Sequence, residues 1–554
     1  MKVLLLQSPV DPASAANVKN LPPLSLGIIV SYLRKNNINV KAYDLNENIY
    51  NNHHKTPKEE WLQLYNKDFL LNCLNDPDQI EKISDLYKYV LEGININEYD
   101  FVGISAGSCA SFFEIHSSFL LGKLIQTKYN KPVVFGGVNV GIMFTNPLFD
   151  EVFQMVVKNF KYILIGPGEK SLVRLLQAYE NGSIDEVYPT LNGSILFSRG
   201  YIFPNTVDNP TFTCPDFSDF NMDFYKTYLV ENNEEKNIKQ LYKLAFPFNV
   251  QLANFIKTNI PDLNHSANLI PYFFNYHCQY NCAFCPESSN AYKPITKDVK
   301  EIIDDISFLQ NQYGSKYFQF LNNSFNLTPA FVRDFCTMLI DRGIKIYWSD
   351  CARVNGLTKE LLELMYRAGC RKLIFGFETG SEKLLKYINK RLDTKKLSEV
   401  LQWCSELGIY GELEIIIGLP YEYDEDFDAT YAFIEKNKKN INSIYPNRYY
   451  VIRHSLLGRY PEKYGIEIIQ GETYESMLAQ YKLLSINNFQ VDQKDTGKTH
   501  FHVLKFNELN GRSFDIIEKE TDIKFVKMTG LMLKLPGFEE MLQIENDIRR
   551  KVTG

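Results

Sequence analysis

Short apolar runs alternate with amphipathic stretches through the first 190 residues. "KVLLLQSP" (2–9) has the unbroken apolar character of a buried strand. "NVKAYDLN" (39–46), "DFVGISA" (100–106), "KPVVFGG" (131–137) and "YILIGPGE" (162–169) repeat it, most of them ending in Gly or Ser. Helical periodicity fills most gaps, as in "SLGIIVSYLRKNN" (25–37), "FFEIHSSFLLGKLIQTKY" (112–129) and "SLVRLLQAYENG" (171–182). Such alternation predicts a parallel sheet with helices on both faces and ligands at the carboxyl ends of the strands. Residues 48–98 interrupt it with a polar, aromatic-rich helical insert.

The pattern weakens into turns from about 190 to 255 and resumes at "ANLIPYFFN" (267–275). Strand-like runs follow at 316–321, 345–350, 372–378, 412–418 and 447–453, separated by helices such as "TKELLELMYRAG" (358–369) and "DEDFDATYAFIEKN" (424–437). Six βα-like units are too few for a closed eight-fold barrel, so an open, partial (β/α)6 barrel is expected, its site at the strand C-termini. The expected fold class is α/β: a Rossmann-like domain at 1–190, a linker at 191–260, the partial barrel at 261–470 and a small mixed, mostly helical accessory region at 471–554.

Composition narrows the function classes. A net charge of −6, without a basic stripe, is not the footprint of a nucleic-acid binder. No apolar window reaches the length of a membrane span, and the apolar start is too short for a signal peptide. Seven of the ten cysteines (Cys73, Cys109, Cys214, Cys336, Cys351, Cys370 and Cys404) are scattered singly, which reads as buried free thiols in a reducing cytoplasm.

The other three crowd into "NYHCQYNCAFCPES" (275–288), directly after the first barrel strand. Cys278, Cys282 and Cys285 are spaced i, i+4, i+7, which on a helix would be a core stripe; Asn275, Tyr276, Asn281 and Pro286 argue for a loop. Structural zinc, with His277 as fourth ligand, is the second alternative, but such sites usually draw on two short-spaced pairs and there is no second pair. An iron–sulfur cluster is the third and favoured reading. Three thiolates on four irons leave one iron open to chelate a ligand and pass it an electron, which suits S-adenosylmethionine.

C-x3-C-x-aromatic-C, with Phe284 as the aromatic residue, resembles the radical S-adenosylmethionine (radical SAM) superfamily. Downstream, "FLNNSF" (320–325), "WSDCARVNGLTKELLELMYRAGC" (348–370), "FGFETGSEKLL" (375–385) and "IIIGLPYE" (415–422) are similar to the family's later strands, in order. The chain departs from the family in carrying "YHC" where Arg-Gly usually precedes the first cysteine. The resemblance implies a 4Fe–4S cluster on Cys278, Cys282 and Cys285. It also implies S-adenosylmethionine contacts from Phe284, Asn322, Asn323, Ser349, Arg353, Glu378 (to the ribose), Gly418 and Leu419.

"LPPLSLGIIVSYLRKNNINVKAYDLN" (21–46), "DFVGISA", "VVFGGVNV" (133–140) and "GPGEKSLVRLL" (166–176) are similar to the cobalamin-binding domain that precedes many such barrels. Ser105, Gly136, Gly137, Gly166, Gly168 and Glu169 are the implied corrin-side residues; a tight turn needing positive φ is the alternative for the paired glycines. No G-x-G-x-x-G follows the first strand, which argues against a nicotinamide or flavin dinucleotide. The loop 8–23 has Asp11 but no histidine, so no imidazole is expected beneath cobalt.

The resemblance as a whole, to a class B radical SAM methyltransferase, implies methylation of an unactivated carbon or phosphorus centre. Rearrangement, ring contraction or cyclisation with the same cofactors is the first alternative, and a non-catalytic corrinoid-binding protein the second. Expected partners are a small-molecule or peptide substrate and a low-potential electron donor of flavodoxin or ferredoxin type. An RNA methylthiotransferase is disfavoured because only Cys73 and Cys109 precede residue 190. Substrate specificity is expected in 470–554 and in the insert.

Overall fold

A computed structural model describes residues 1–12, 21–107, 112–146, 149–198, 201–204, 206–229, 234–238, 266–289, 294–469 and 503–553. Cys109, parts of 191–260 and of the loop 8–23, and the start of the C-terminal region lie outside the described residues. The described residues divide into two compact units, the first up to Tyr225 and the second from Lys226 onward.

The first unit carries five parallel strands: β1 (Lys2–Gln7), β2 (Asn39–Asp44), β3 (Phe101–Ser105), β4 (Val133–Gly136) and β5 (Tyr162–Ile163), in the order β2-β1-β3-β4-β5. Val3 to Gln7 are all buried, because helices cover the sheet on both faces and leave no polar alternation. Three helices matter for the site: α1 (Leu24–Lys35), α2 (Phe112–Tyr129) and α3 (Glu169–Glu180). α2 is buried nearly all round. The reason is the insert, whose Trp61, Leu64, Tyr65, Leu70, Leu74 and Tyr87 join the core on its far side. Two buried polar ties fasten that layer: Tyr87 donates its hydroxyl to the Ser117 carbonyl at 2.7 Å, and His116 Nδ1 lies 2.7 Å from the Leu64 carbonyl.

Residues 206–225, in the stretch read as a linker, pack on this unit. Arg34 pairs with Asp216 (2.5 Å) and Asp219 (2.8 Å), Ala42 N–H donates to Asp219 (2.9 Å), and Tyr225 donates to Asp44 (2.7 Å). The segment thereby covers the open edge of β2.

The second unit is a six-stranded, all-parallel sheet: β6 (Leu269–Tyr272), β7 (Tyr317–Phe320), β8 (Tyr347–Ala352), β9 (Cys370–Glu378), β10 (Tyr410–Ile417) and β11 (Ser443–Arg448), hydrogen-bonded in sequence order. The outermost strands are not paired with each other, so the sheet is open, as the six βα units predicted. Four of its helices, α4 (Val299–Tyr313), α5 (Pro329–Asp341), α6 (Lys359–Arg367) and α7 (Thr394–Leu407), start on capping side chains: Asp298, Thr328, Thr358 and Asp393.

The described C-terminal residues join this unit. Val503–Leu504 and Phe506–Glu508 form short antiparallel pairs with Val451–Ile452 and Ile466–Ile468. Helix α8 (Phe514–Met532) then lies against β10 and β11, where Asp522 pairs with Arg448.

Candidate functional site

The three cysteines occupy a loop, so the core-stripe alternative falls. His277 takes a left-handed φ of 63°, and Cys285 N–H closes a turn on the Cys282 carbonyl at 3.1 Å. The loop is pinned on two sides: Ala283 N–H donates to the Ile388 carbonyl (2.8 Å) and the Ala283 carbonyl accepts from Leu457 N–H (3.1 Å). Asn389 adds a side-chain bond to the Asn281 carbonyl at 2.8 Å. Cys282 is buried, while Cys278 and Cys285 are half-buried. Burial pushes the Cys285 thiol up to about 11, and the neighbouring Cys282 and Cys278 push in the same direction. A metal takes the place of the proton on such a thiol. Among the described residues, no three His, Cys, Asp or Glu side chains sit close enough to share one metal ion. A cubane instead takes each thiolate on a separate iron, and three thiols on one short loop fit that donor set.

Beside the loop stand the carboxyl ends of β7, β8 and β9. Arg353 donates to Cys282 Sγ at 3.1 Å and stacks 3.5 Å from the Tyr280 ring centre. Glu378 ends β9 with φ of 63°, beside a register shift between Gly376 and Glu378 in the pairing with β10. A left-handed glutamate at a bulge is uncommon, and such geometry re-aims a side chain. Its carboxylate is ion-paired to Lys390 at 2.5 Å, both side chains being nearly buried, and the Lys390 ammonium lies 5.8 Å from the Phe284 ring centre. Lys390 lines a small cleft, of about 10 Å³, together with Ala352, Arg353, Asn355, Phe375 and Gly376, among others. Lys390, twelve residues past Glu378 and outside every motif, was missed in the sequence.

Other expected contacts are placed differently. Asn322 uses its amide within the protein: its oxygen accepts from Phe274 and Asn275 N–H (2.9 and 3.0 Å), and its nitrogen donates to Asp350 at 2.6 Å. It therefore braces the base of the cysteine loop, with Asn323 exposed next to it and Ser349 buried one strand over. Leu419 is fully buried in an apolar cluster with Ala283, Leu384 and Ile416, so its side chain packs in the core. Gly418 has φ of 89°, and a Cβ there would collide with the Thr521 side chain of α8. The close approach that demands glycine is thus to a helix of this protein.

The sheet's interior face is polar. Lys372 pairs with Glu412 at 3.1 Å, and Asn447 donates to Glu414 at 2.8 Å. Cys351 touches solvent yet is crowded by protein, as a side chain lining a concavity would be; desolvation first, then Asp350, Glu414 and Glu412, push its thiol up to about 12. Burial, reinforced by Glu412 and Glu378 against Asn447 and Lys372, raises Glu414 to about 7. The ionised form is therefore disfavoured in the fold. Stability should fall as pH rises from the ordinary carboxylate value toward 7, and level off above it. Glu414→Gln removes that loss. Its advantage over wild type should be negligible at pH 4 and reach roughly 3–3.5 kcal/mol at pH 8, for a rise from 4.5 to about 7 at about 1.4 kcal/mol per pKa unit. Unfolding midpoints at the two pH values check this; a pH-independent difference would refute it.

In the first unit the expected corrin-side residues gather at the carboxyl edge of the sheet. Ser105 ends β3, and its carbonyl accepts from Ser8 N–H at 2.9 Å and Gln7 Nε2 at 3.0 Å. Gly136 ends β4 with open space around it, since a Cβ there would find only the Leu164 carbonyl, at 3.7 Å. Gly137 is different: its φ is 100° and a Cβ would overlap the Ala106 carbonyl oxygen. The backbone, not a ligand, requires glycine there. Gly166 faces Val207, whose side chain fills the place a Cβ would take, whereas Gly168, at the start of α3, has nothing within 4 Å. Glu169 accepts from Thr211 N–H and Oγ1 at 3.4 and 3.3 Å, tethering the following segment. The sequence did not single out Glu114. Fully buried in α2, it accepts from Ser8 Oγ (3.0 Å), Gly107 N–H (3.1 Å) and Asn139 Nδ2 (2.7 Å), so one carboxylate ties the loops after β1, β3 and β4. His53 Nδ1 lies 3.1 Å from the Ile49 carbonyl, within the insert.

Residues 272–434, which carry this geometry, match the model of the radical SAM superfamily. Residues 272–434, the cysteine loop among them, are a radical SAM domain. The chain is 29% identical over 160 residues to an uncharacterized methyltransferase of Pyrococcus horikoshii, covering 29% of this chain and 35% of that protein. It is 25% identical over 304 residues to the anaerobic magnesium-protoporphyrin IX monomethyl ester cyclase of Cereibacter sphaeroides, covering 54% and 43%. The chain thus spans under half the length of these curated relatives. Among solved structures, the radical S-adenosylmethionine methyltransferase TsrM of Kitasatospora setae, with cobalamin and a 4Fe–4S cluster bound, superposes with a TM-score of 0.55 at 16% identity, over 85% of this chain and 78% of that one. That likeness shows the fold alone. No helix among the described residues is long and apolar enough to cross a membrane.

Proposed function

We propose that this protein is a cobalamin-dependent radical SAM enzyme that methylates an unactivated carbon or phosphorus centre. The observation that carries the reading is the pinned three-thiol loop at the carboxyl end of β6, in a chain whose other unit is a parallel sheet with a glycine-rich carboxyl edge. When bound, a 4Fe–4S cluster supplies the electron that splits S-adenosylmethionine, and cobalamin supplies a methyl carrier.

The residues divide the work as follows. Cys278, Cys282 and Cys285 hold the cluster. Glu378, aimed by its bulge, accepts from the ribose hydroxyls of S-adenosylmethionine, with Lys390 holding the carboxylate in place until then. Phe284, beside Lys390, and Ser349, on β8, are the further S-adenosylmethionine contacts, and Asn322 acts one step back by fixing the start of the loop. At the first unit's edge, Ser105, Gly136, Gly168 and Glu169 offer backbone and small side chains to a corrin, on loops that Glu114 holds together. The electron donor is of flavodoxin or ferredoxin type, the substrate is a small molecule or peptide, and the cytoplasm is the compartment.

A second reading, cyclisation with the same cofactors and no methyl transfer, is favoured by the match over 304 residues to a cyclase. Anaerobic purification should give about four irons per chain, one cubane, together with corrin; product mass then separates the two readings, since only methylation adds a methylene unit. Protein that binds neither iron nor corrin would end both.

A further inference from the structure

Arg353 is held more firmly than a side chain waiting for a ligand needs to be. Its backbone N–H donates to Asn326 Oδ1 at 2.9 Å, and Asn326 Nδ2 donates to its carbonyl at 2.6 Å. Its guanidinium lies on Tyr280, inside the cysteine loop, at 3.5 Å from the ring centre. One arm of the fork donates to the Lys390 carbonyl at 3.3 Å, and the other to Cys282 Sγ at 3.1 Å. Cys282 is the most buried of the three thiols, at 4% exposure, so this contact is poorly screened by solvent. An arginine keeps its charge at any working pH, and its planar fork gives the bond one direction.

We propose that Arg353 sets the reduction potential of the cluster through its N–H···S bond to Cys282. The inference rests on the assignment of the three cysteines as cluster ligands. Hydrogen bonds to the sulfurs and net charge are among the levers that tune such potentials. One electron from a low-potential one-electron donor adds one negative charge to the cluster and its thiolates, with no proton moved and no bond broken. The fixed positive charge of Arg353 beside Cys282 stabilises that reduced state over the oxidised one. Arg353 is thus a tuning residue whose effect precedes any contact with S-adenosylmethionine. Tyr280, by holding the guanidinium flat, is its positioning residue.

The test is a potentiometric titration of reconstituted full-length protein, without S-adenosylmethionine, with the reduced cluster read by electron paramagnetic resonance. At the wild-type midpoint, Arg353→Gln should show a reduced-to-oxidised ratio at least tenfold lower, about 59 mV for a one-electron couple. Arg353→Lys, which keeps the charge and loses the fork, should fall between. Tyr280→Leu should shift the same way by less. An unchanged ratio in Arg353→Gln carrying about four irons overturns the inference and leaves the cluster assignment intact. If Arg353→Gln does not retain iron, Tyr280→Leu decides: a full complement of iron with an unmoved potential overturns the inference as well. Wild-type protein that assembles no cluster overturns the cysteine assignment itself.

Discussion

Replacing Cys282 by Ala should reduce 5′-deoxyadenosine formation under dithionite to the level seen without protein. The substitution removes one sulfur from a loop whose backbone is held by Ala283, Asn281 and Leu457, none of which depends on the thiol. The cost to the fold should be about 1 kcal/mol, at the small end of buried truncations. Far-ultraviolet circular dichroism should therefore match wild type while the iron content falls. The contrast is Cys336→Ala. Cys336 lies fully buried in α5, and Cys370 and Cys404 are near enough to one another for Cys370 to feel both neighbouring sulfurs. Burial holds all three thiols well above their ordinary pKa, Cys404 at about 12. Cys336→Ala should lower stability and leave cleavage and iron content unchanged. If Cys282→Ala still made 5′-deoxyadenosine at the wild-type rate, the assignment of the three cysteines would be wrong.

The N-terminal strands were readable because parallel strands covered on both faces carry unbroken apolar runs, and each of those five runs became one; five of the six barrel runs did too, while the sixth, 447–453, meets β11 only at that strand's last two residues. The insert was harder to read. Its outward faces are polar, and only its sparse apolar positions, such as Trp61 and Tyr87, reveal that it completes the core around α2. The packing of 206–225 could not be read locally, since Arg34 finds Asp216 and Asp219 some 180 residues away. In the site, spacing exposed the thiols, but the partner of Glu378 comes from a loop twelve residues on and that of Cys282 from just past the end of β8. Lys390 and Arg353 meet them only once the sheet has brought the carboxyl ends of β8 and β9 beside the loop. Gly418 and Leu419 carry motif letters that here serve packing: one admits Thr521, and the other fills the cluster around Ala283.

Gly137→Ala should destabilise the first unit by on the order of 3 kcal/mol or more, because two costs coincide. An L-residue at φ of 100° is strained, which alone is worth roughly 1–3 kcal/mol. The new methyl would also overlap the Ala106 carbonyl oxygen, and that oxygen already accepts from Asn139 N–H at 3.0 Å. Backbone on both sides of the clash leaves no flexible side chain to yield. Asn139 is in turn a donor to Glu114, so displacing it loosens the carboxylate that ties the loops after β1 and β3. A lower unfolding midpoint and a loss of corrin should therefore appear together. Gly136→Ala and Gly168→Ala separate fold from ligand: both sites have room for a methyl and neither has positive φ, so each should cost under about 1 kcal/mol. If a corrin lies against this edge, these two variants should fold like wild type and yet purify with less of it. Full corrin content in both would move the binding surface away from the glycines, and an unaltered midpoint in Gly137→Ala would show that the loop after β4 can relax.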